Sequence, residues 1–473
     1  MFEFYLRSFR PLLRTLATKS KNRQKKGKKK FNVKSIVTDI EIEPEESNFQ
    51  YVDEHNQYDH LRRAVTPLAD LPYEEQLEYK TQKVDNIMKQ FQKLLIDNKA
   101  RISYAQGPLP CPVDFIKPSP VIQSYRNKDE FSLGPGVAGD VTAGFFVGRP
   151  KYGMVSVRPK GLINMKYPHI KLAKLYEKFV NTSKFPVCFK FHEGGHWRGI
   201  TIRSNDRGDL MATVLFHPQD LEASQIKEAK FEICQYFLNG EGKEGQLKSL
   251  FFQACRHTKC TREQAPFELL FGEPYLFETI NDLKFQISPD TSFPQNKYSS
   301  QVLYETVKEV SGLCGATTVL DICCGTGTIG LFLAGSAKRV IEIDAFSGAI
   351  EDAKANAKLN SIENAEFHCG DFPIVMSEVL KSINPNDDII AVINPGRSGL
   401  PSSMINNIKS ATVIDRVVYV SCKPIGNSMD NFVKLCTSEN RQLNEQRFTP
   451  SLAVPIDSFP HTDHIELVLL FER

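Results

Sequence analysis

The chain lacks any run of about 18 uncharged apolar residues, so a membrane-spanning helix is not expected. Its 11 cysteines include no C-x-x-C pair. A zinc ribbon or iron–sulfur cluster therefore has no ligands at the usual spacing, and no metal is expected. The amino terminus has no continuous apolar core of the secretory type, which argues against a disulfide framework. No internal repeat is visible. Net charge is also scarce, at a formal +3. Residues 61–473 balance 47 basic against 47 acidic side chains, so any RNA site must come from local patches rather than bulk charge. What is present is ordinary for a globular protein: 473 residues, 41% apolar and 24% charged. That length suggests roughly two to four domains.

The charge is unevenly placed. Residues 1–30 carry 11 Lys and Arg against one acid, Glu3, whereas residues 37–60 carry eight acids and no Lys or Arg. Within Met1–Ser20, Phe2, Phe4, Leu6, Phe9, Leu12, Leu13 and Leu16 mix with Arg7, Arg10, Arg14 and Lys19. An amphipathic, Arg-containing, acid-poor start fits a mitochondrial transit peptide. The denser run Lys21–Lys30 points instead to a nuclear address or a nucleic-acid tail. We expect a basic targeting segment at 1–30, directing the chain to mitochondria with nucleus or cytosol as alternatives, and an acidic linker at 31–61.

From Tyr73 to Ile102, Leu77, Ile87, Phe91, Leu94 and Leu95 fall at helical spacing. Gly107 to about Lys160 is rich in Gly and Pro with short apolar runs, as in a β-rich module. Lys171–Thr182 and Leu221–Leu238 read as helices. From Thr317 onward, strands at Thr318–Cys323, Val340–Ile343, Ile389–Ile393 and Val417–Ser421 alternate with helical stretches. That alternation predicts an α/β domain with a mostly parallel sheet.

The first of these strands runs into Asp321-Ile322-Cys323-Cys324-Gly325-Thr326-Gly327-Thr328-Ile329-Gly330. Glycines let such a loop turn sharply and approach a ligand. About 20 residues on, Glu342 and Asp344 end a second strand, where a carboxylate can accept hydrogen bonds from ribose hydroxyls. Asp371, in Phe367-His368-Cys369-Gly370-Asp371, can meet an adenine amine. This pattern suits S-adenosylmethionine, but Gly330 also completes G-x-G-x-x-G, so the loop alone leaves a dinucleotide open. Cys422 ends the apolar strand Val417–Ser421, where open α/β sheets place their ligand sites. Glu466 opens the apolar run Leu467–Phe471, where a carboxylate can accept a proton.

The set D-I-C-C-G-T-G-T-I-G, S-C-x-P and F-P-H-T-x-H-x-E resembles the RNA uracil-C5 methyltransferases. The likeness extends to Tyr125-Arg126-Asn127-Lys128-Asp129-Glu130-Phe131, to Leu270–Tyr275, to Ile287–Asp290, and to Thr66-Pro67-Leu68 with Pro72-Tyr73 and Glu75-Gln76-Leu77. It covers about residues 62–473 and is nearest to the animal tRNA (uracil-5)-methyltransferase homologues. The sequence ahead of the helix holds no RNA-recognition domain, which is more similar to the mitochondrial branch. The resemblance implies a class I (Rossmann-like) methyltransferase domain at 285–473, a β-containing RNA-binding module at 105–284 and a helical lead-in at 62–104. It implies S-adenosyl-L-methionine as cofactor and RNA as partner, the T-loop uridine of tRNA foremost. The alternatives are mitochondrial rRNA, or a catalytically weak tRNA-binding protein. Cys422 is the implied nucleophile, with Lys423 beside it to favour the thiolate, and Glu466 the implied base. The implied cofactor contacts are Asp321, Gly325, Gly327, Glu342, Asp371, Gln295 and Asn394.

The chain departs from that pattern at three places. Asn394-Pro395-Gly396-Arg397 stands where the family has D-P-P-R, and Lys423 where it has Asn after the cysteine. Pro294 stands where it has a glutamine, for which Gln295 substitutes if the loop shifts by one. Two further patches draw notice. His192-Glu193-Gly194-Gly195-His196 matches H-E-x-x-H, but its paired glycines oppose the helix a zinc site needs and favour a hairpin. Arg256-His257-Thr258-Lys259-Cys260-Thr261-Arg262 offers cations for phosphate contact.

Overall fold

The computed structural model describes residues 51–100, 107–149, 153–384, 386–437 and 447–473. The basic segment 1–30 and most of the acidic linker lie outside them. The described chain opens with α1 (Gln57–Val65), which spans the expected boundary between linker and helical lead-in at 61/62, and α2 (Tyr73–Asp97). Leu61 is the buried anchor of α1. In α2, Leu77, Val84, Ile87, Met88, Phe91 and Leu95 recur at helical spacing and are all buried.

The next unit is a seven-stranded sheet of order β3-β2-β1-β4-β5-β6-β7. Its strands are β1 (Lys128–Pro135), β2 (Val141–Arg149), β3 (Gly153–Val157), β4 (Trp197–Ser204), β5 (Leu210–Phe216), β6 (Ser249–Ala254) and β7 (Glu268–Gly272). Two helices, α3 (Tyr167–Thr182) and α4 (Ala223–Asn239), belong to the same unit, and α4 is the crossover joining the parallel pair β5–β6. Alternation along the strands sorts the two faces. Phe131, Leu133, Ile200, Ile202, Ala212, Val214, Leu250 and Phe252 share a core with the helices. Lys128, Glu130, Thr201, Thr213 and Gln253 alternate with them, and these face the cavity described below.

The second sheet also has seven strands, in the order β12-β11-β10-β13-β14-β16-β15. A hairpin of β8 (Leu276–Ile280) and β9 (Leu283–Ile287) precedes it. Then follow α5 (Lys297–Ser311), β10 (Thr317–Ile322), α6 (Thr328–Ala334), β11 (Arg339–Asp344), α7 (Ser347–Leu359) and β12 (Ala365–Cys369). The chain continues through α8 (Phe372–Ser382), β13 (Asp388–Ile393), α9 (Ser402–Ser410), β14 (Arg416–Ser421), α10 (Asn427–Cys436), β15 (Thr449–Ile456) and β16 (Glu466–Glu472). β10 to β14 are parallel to their neighbours, while β16 runs antiparallel to both β14 and β15. The order reverses between β10 and β13, which opens a crevice at the strands' carboxyl ends.

Packing contacts cross both 104/105 and 284/285. Val84, Phe91 and Leu95 of α2 share one core with the sheet residues Ile322, Ile341, Ile393 and Leu467. Residues 107–119 run along β15, with the Asp114 and Lys117 amides donating to the Ala453 and Pro455 carbonyls at 2.9 and 2.8 Å. They thereby cover an otherwise open edge. The β8–β9 hairpin packs into the core on the opposite face, with Val319, Val392 and Val468.

Candidate active site

The crevice opens into a cavity of about 1120 Å³ between the two sheets. One wall comprises Cys323, Gly325, Thr326, Asp344, Asp371 and Asn394; the other is the polar face of the first sheet with the loop carrying Lys259 and Arg262. A groove of this size suits a cofactor and a nucleotide together.

The loop after β10 is folded by main-chain bonds and two buried acids. The Cys323 and Cys324 amides both donate to the Ile343 carbonyl, at 2.9 and 3.2 Å. Gly325 adopts φ +58°, and a Cβ there would meet only the Ser292 carbonyl oxygen at 4.0 Å, so its backbone lies bare toward the cavity. Asp344 pins this turn from the end of β11. Its Oδ2 accepts from the Gly325 amide and its Oδ1 from the Phe346 amide, each at 3.0 Å. Phe346 also lines the cavity and is 65% exposed, a free aromatic face.

The structure places several of the expected cofactor residues away from the cavity wall. Glu342 does not reach the cavity. It sits one residue pair inside the strand, opposite Asp321, and is wholly buried. Asp321 is buried too, its Oδ2 accepting from the Gly330 amide at 2.8 Å. A Cβ on Gly330 would lie 2.3 Å from Glu342 Oε1 and 2.9 Å from Asp321 Oδ2, so these acids support the loop from beneath. Gly327, φ +75°, is the residue before α6 and lies off the cavity. Gln295 is not on the cavity wall either; its carbonyl accepts from the Asn127 amide at 3.0 Å. Gly325, Asp371 and Asn394 do line the cavity, and Asp344 and Phe346 join them. Asp344 lies one residue beyond the last β10–β11 pair, Ile322–Ile343.

Cys422 follows β14 directly, and Glu466 is the first residue of β16. Ser421 pairs with Leu467, which leaves Cys422 and Glu466 at the next position across the same antiparallel ladder. Burial, and after it the Glu466 charge, pushes the Cys422 thiol up to about 11, against the pull of Arg397. The cation acting on the thiol is thus Arg397 rather than Lys423, which is exposed. Burial raises the Glu466 carboxyl as well, opposed by a hydrogen bond from Ser458.

Other chemistry-bearing groups take structural positions. His192 lies in a short 3-10 turn and His196 just before β4, with Gly194 and Gly195 at φ +87° and +84° between them, so the hairpin expectation gives way to a turn entering a strand. Cys255 and Cys260 form a disulfide at the base of the basic loop, a single bridge in a chain for which no disulfide framework was expected. Asp129, His169 and Ser204 form a hydrogen-bonded chain at 2.6 and 2.8 Å, but all three are buried off the cavity. The chain therefore braces the first sheet and presents no nucleophile to a substrate.

Comparison with known proteins adds the following. Residues 314–453 match the methyltransferase domain family. The chain is 40% identical over 417 residues to the tRNA (uracil-5-)-methyltransferase homolog B of Danio rerio, covering 87% of this chain and 86% of that one. It is 41% identical over 421 residues to the Homo sapiens homolog B, covering 87% and 84%. The fold is similar to that of Pyrococcus abyssi tRNA (uracil-54, C5)-methyltransferase in complex with S-adenosyl-L-homocysteine, at 21% identity and TM-score 0.56, over 85% of this chain and 84% of that one.

Proposed function

The chain belongs to the tRNA (uracil-5-)-methyltransferase family, and on that premise we propose that it methylates C5 of a uridine in tRNA through Cys422 and Glu466. The observation that carries the proposal is the meeting of these two side chains at one end of the β14–β16 ladder. The cavity wall suits S-adenosylmethionine: bare backbone at Gly325, a carboxylate for ribose hydroxyls in Asp344, Asp371 for the adenine amine, and Phe346 for its face. When bound, the cofactor supplies the methyl group that C5 accepts.

The residues of the chain do the rest. Uracil C5 is a poor nucleophile. The Cys422 thiolate adds to C6 and turns the ring into an enolate with electron density at C5. Arg397 favours the thiolate. After C5 is methylated, the Glu466 carboxylate takes the C5 proton; the electron pair closes the C5–C6 double bond, and the C6–S bond breaks to return the thiolate. Lys128, Arg198, Lys259 and Arg262 on the opposite wall suit RNA phosphates. Asn394, at the end of β13, keeps hydrogen-bonding capacity without the charge of the family's usual acid.

Supplying labelled cofactor to the purified protein with unmodified tRNA tests the reading; transfer to a uridine is expected, and binding without transfer would leave only the tRNA-binding alternative. Comparing methylated uridines in tRNA and mitochondrial rRNA after gene deletion separates those two substrates. The basic, amphipathic start at residues 1–20 supports a mitochondrial address. A fluorescent fusion of residues 1–35 should then reach mitochondria, and a nuclear signal would assign the address to Lys21–Lys30 instead.

A further inference from the structure

The loop between β15 and β16 carries the residues that lead into Glu466, and it is held almost entirely from outside its own sheet. Lys80 Nζ donates to Asp457 Oδ1 at 2.6 Å and to the Phe459 carbonyl at 3.0 Å, and both side chains of that ion pair are fully buried. Gln76 bonds His461 twice: its Oε1 accepts from the His461 amide at 2.8 Å, and its Nε2 lies 3.1 Å from His461 Nδ1. Lys83 reaches Asp463 Oδ2 at 2.9 Å. Gln76, Lys80 and Lys83 are spaced three and four residues apart, on one face of α2. Further fixings come from Tyr125, whose hydroxyl donates to the Pro460 carbonyl at 3.0 Å, Asn296, which donates to the Ser458 carbonyl at 3.1 Å, and the Leu68 amide, which donates to the His461 carbonyl at 3.0 Å.

The need for external bracing is visible in the backbone. His461 has φ +68°, a conformation that a non-glycine residue keeps only when its surroundings impose it. Ser458, within the same loop, hydrogen-bonds Glu466. The loop therefore sets both the position of the carboxyl group and one of its partners.

From this geometry we propose that α2 is a positioning element for proton abstraction, with Gln76 and Lys80 acting on Glu466 through the loop 457–464. The proposal rests on Glu466 being the base. Gln76 and Lys80 touch neither substrate nor cofactor, and their effect falls on the step that needs Glu466 aligned with the C5 proton. Cysteine attack and methyl acceptance depend on β14 and the opposite cavity wall; α2 packs its apolar face into the core that includes Val417 and Tyr419 of β14, whereas Gln76, Lys80 and Lys83 bond the loop that leads to Glu466. Loss of the brace should therefore slow resolution of the methylated cysteine adduct more than its formation.

The experiment is single-turnover kinetics with tRNA and labelled cofactor, following methyl incorporation and the covalent protein–RNA adduct on denaturing gels. Gln76→Ala should keep methyl incorporation within about threefold of wild type while slowing adduct resolution by roughly tenfold or more, so that the adduct accumulates. A double variant, Lys80→Met with Asp457→Leu, removes the buried pair without stranding one charge and should behave alike. Glu466→Gln is the reference. If it fails to accumulate adduct, the assignment of the base is wrong. If it accumulates adduct while both brace variants resolve theirs at the wild-type rate, or lose both steps equally, the positioning role is overturned.

Discussion

Cys422 and Glu466 occupy facing positions one step beyond the Ser421–Leu467 pair, where β14 and β16 run antiparallel. An all-parallel sheet would send the two chain ends in the same direction and set such a pair on separate crossovers. The reversal of β16 brings a nucleophile and a proton acceptor from residues 44 positions apart to the same sheet end. The first consequence is direct. Cys422→Ala should abolish methyl transfer, while circular dichroism and thermal unfolding remain near wild type because the side chain is only half-buried. The wild-type protein should form a covalent adduct with 5-fluorouridine RNA, since fluorine blocks the proton loss that frees the cysteine. Normal turnover by the alanine variant would dismiss Cys422 as nucleophile.

The electrostatics of the pair give a second prediction. Glu466 raises the thiol and Arg397 lowers it. Glu466→Gln should therefore lower the thiol pKa from about 11, and Arg397→Gln should raise it. A nearby charge shifts such a group by roughly one to three units. Rates of alkylation against pH report this in a background with the exposed Cys314 and Cys369 changed to serine. Methylation by Arg397→Gln should also need a higher pH. Shifts of the reverse sign would mean that the two groups do not face the thiol.

On the cofactor side, Asp344 is the β11 acid that lines the cavity. Asp344→Ala removes both the carboxylate on the cavity wall and the two bonds that hold the Gly325 turn and Phe346. S-adenosylmethionine should bind about 1–3 kcal/mol more weakly, the usual cost of losing charge-assisted hydrogen bonds. Glu342→Gln, made beneath the loop, should leave affinity nearly unchanged. Calorimetry showing the opposite ranking would return the ribose contact to Glu342.

How far the sequence carried this reading depended on what each signal encodes. Strand periodicity located β10, β11, β13 and β14, and the apolar run after Glu466 located β16. The half-buried edge strand β12 carries Glu366 and His368 and gave little apolar signal. Glu342 and Asp344 are two residues apart and share a strand face, so alternation does not separate them; only the register with β10 shows that Asp344 lies beyond its last pair. The exchange of Lys423 for Arg397 was hidden for a different reason. Lys423 neighbours Cys422 in the chain, whereas Arg397 arrives from the loop after β13 through the fold. The brace on the Glu466 loop was likewise unreadable, because Gln76 and His461 lie 385 residues apart.

The buried acids under the cofactor loop make stability itself pH-dependent. Burial raises the Asp321 carboxyl to about 7, and burial and then Asp321 raise Glu342 well above the usual carboxylate range. Both folded values exceed the unfolded ones. Such groups contribute stability that is fully present below the unfolded pKa and is lost as pH rises through the folded value. At low pH the pair is protonated and compatible with a dry site; above neutrality, ionisation places negative charge beside a second acid in a buried site, against which the Gly330 amide donates to Asp321. Urea unfolding across about pH 6 to 9 should therefore show stability falling with pH. Glu342→Gln leaves one titrating acid in place of two, so its slope should be shallower by up to one proton, about 1.36 kcal/mol per pH unit. Other raised acids, Glu466 and Asp352 among them, contribute equally to both proteins and cancel in the comparison. Equal slopes for the variant and wild type would show that Glu342 is ionised in the folded state throughout this range, as it is in the unfolded chain.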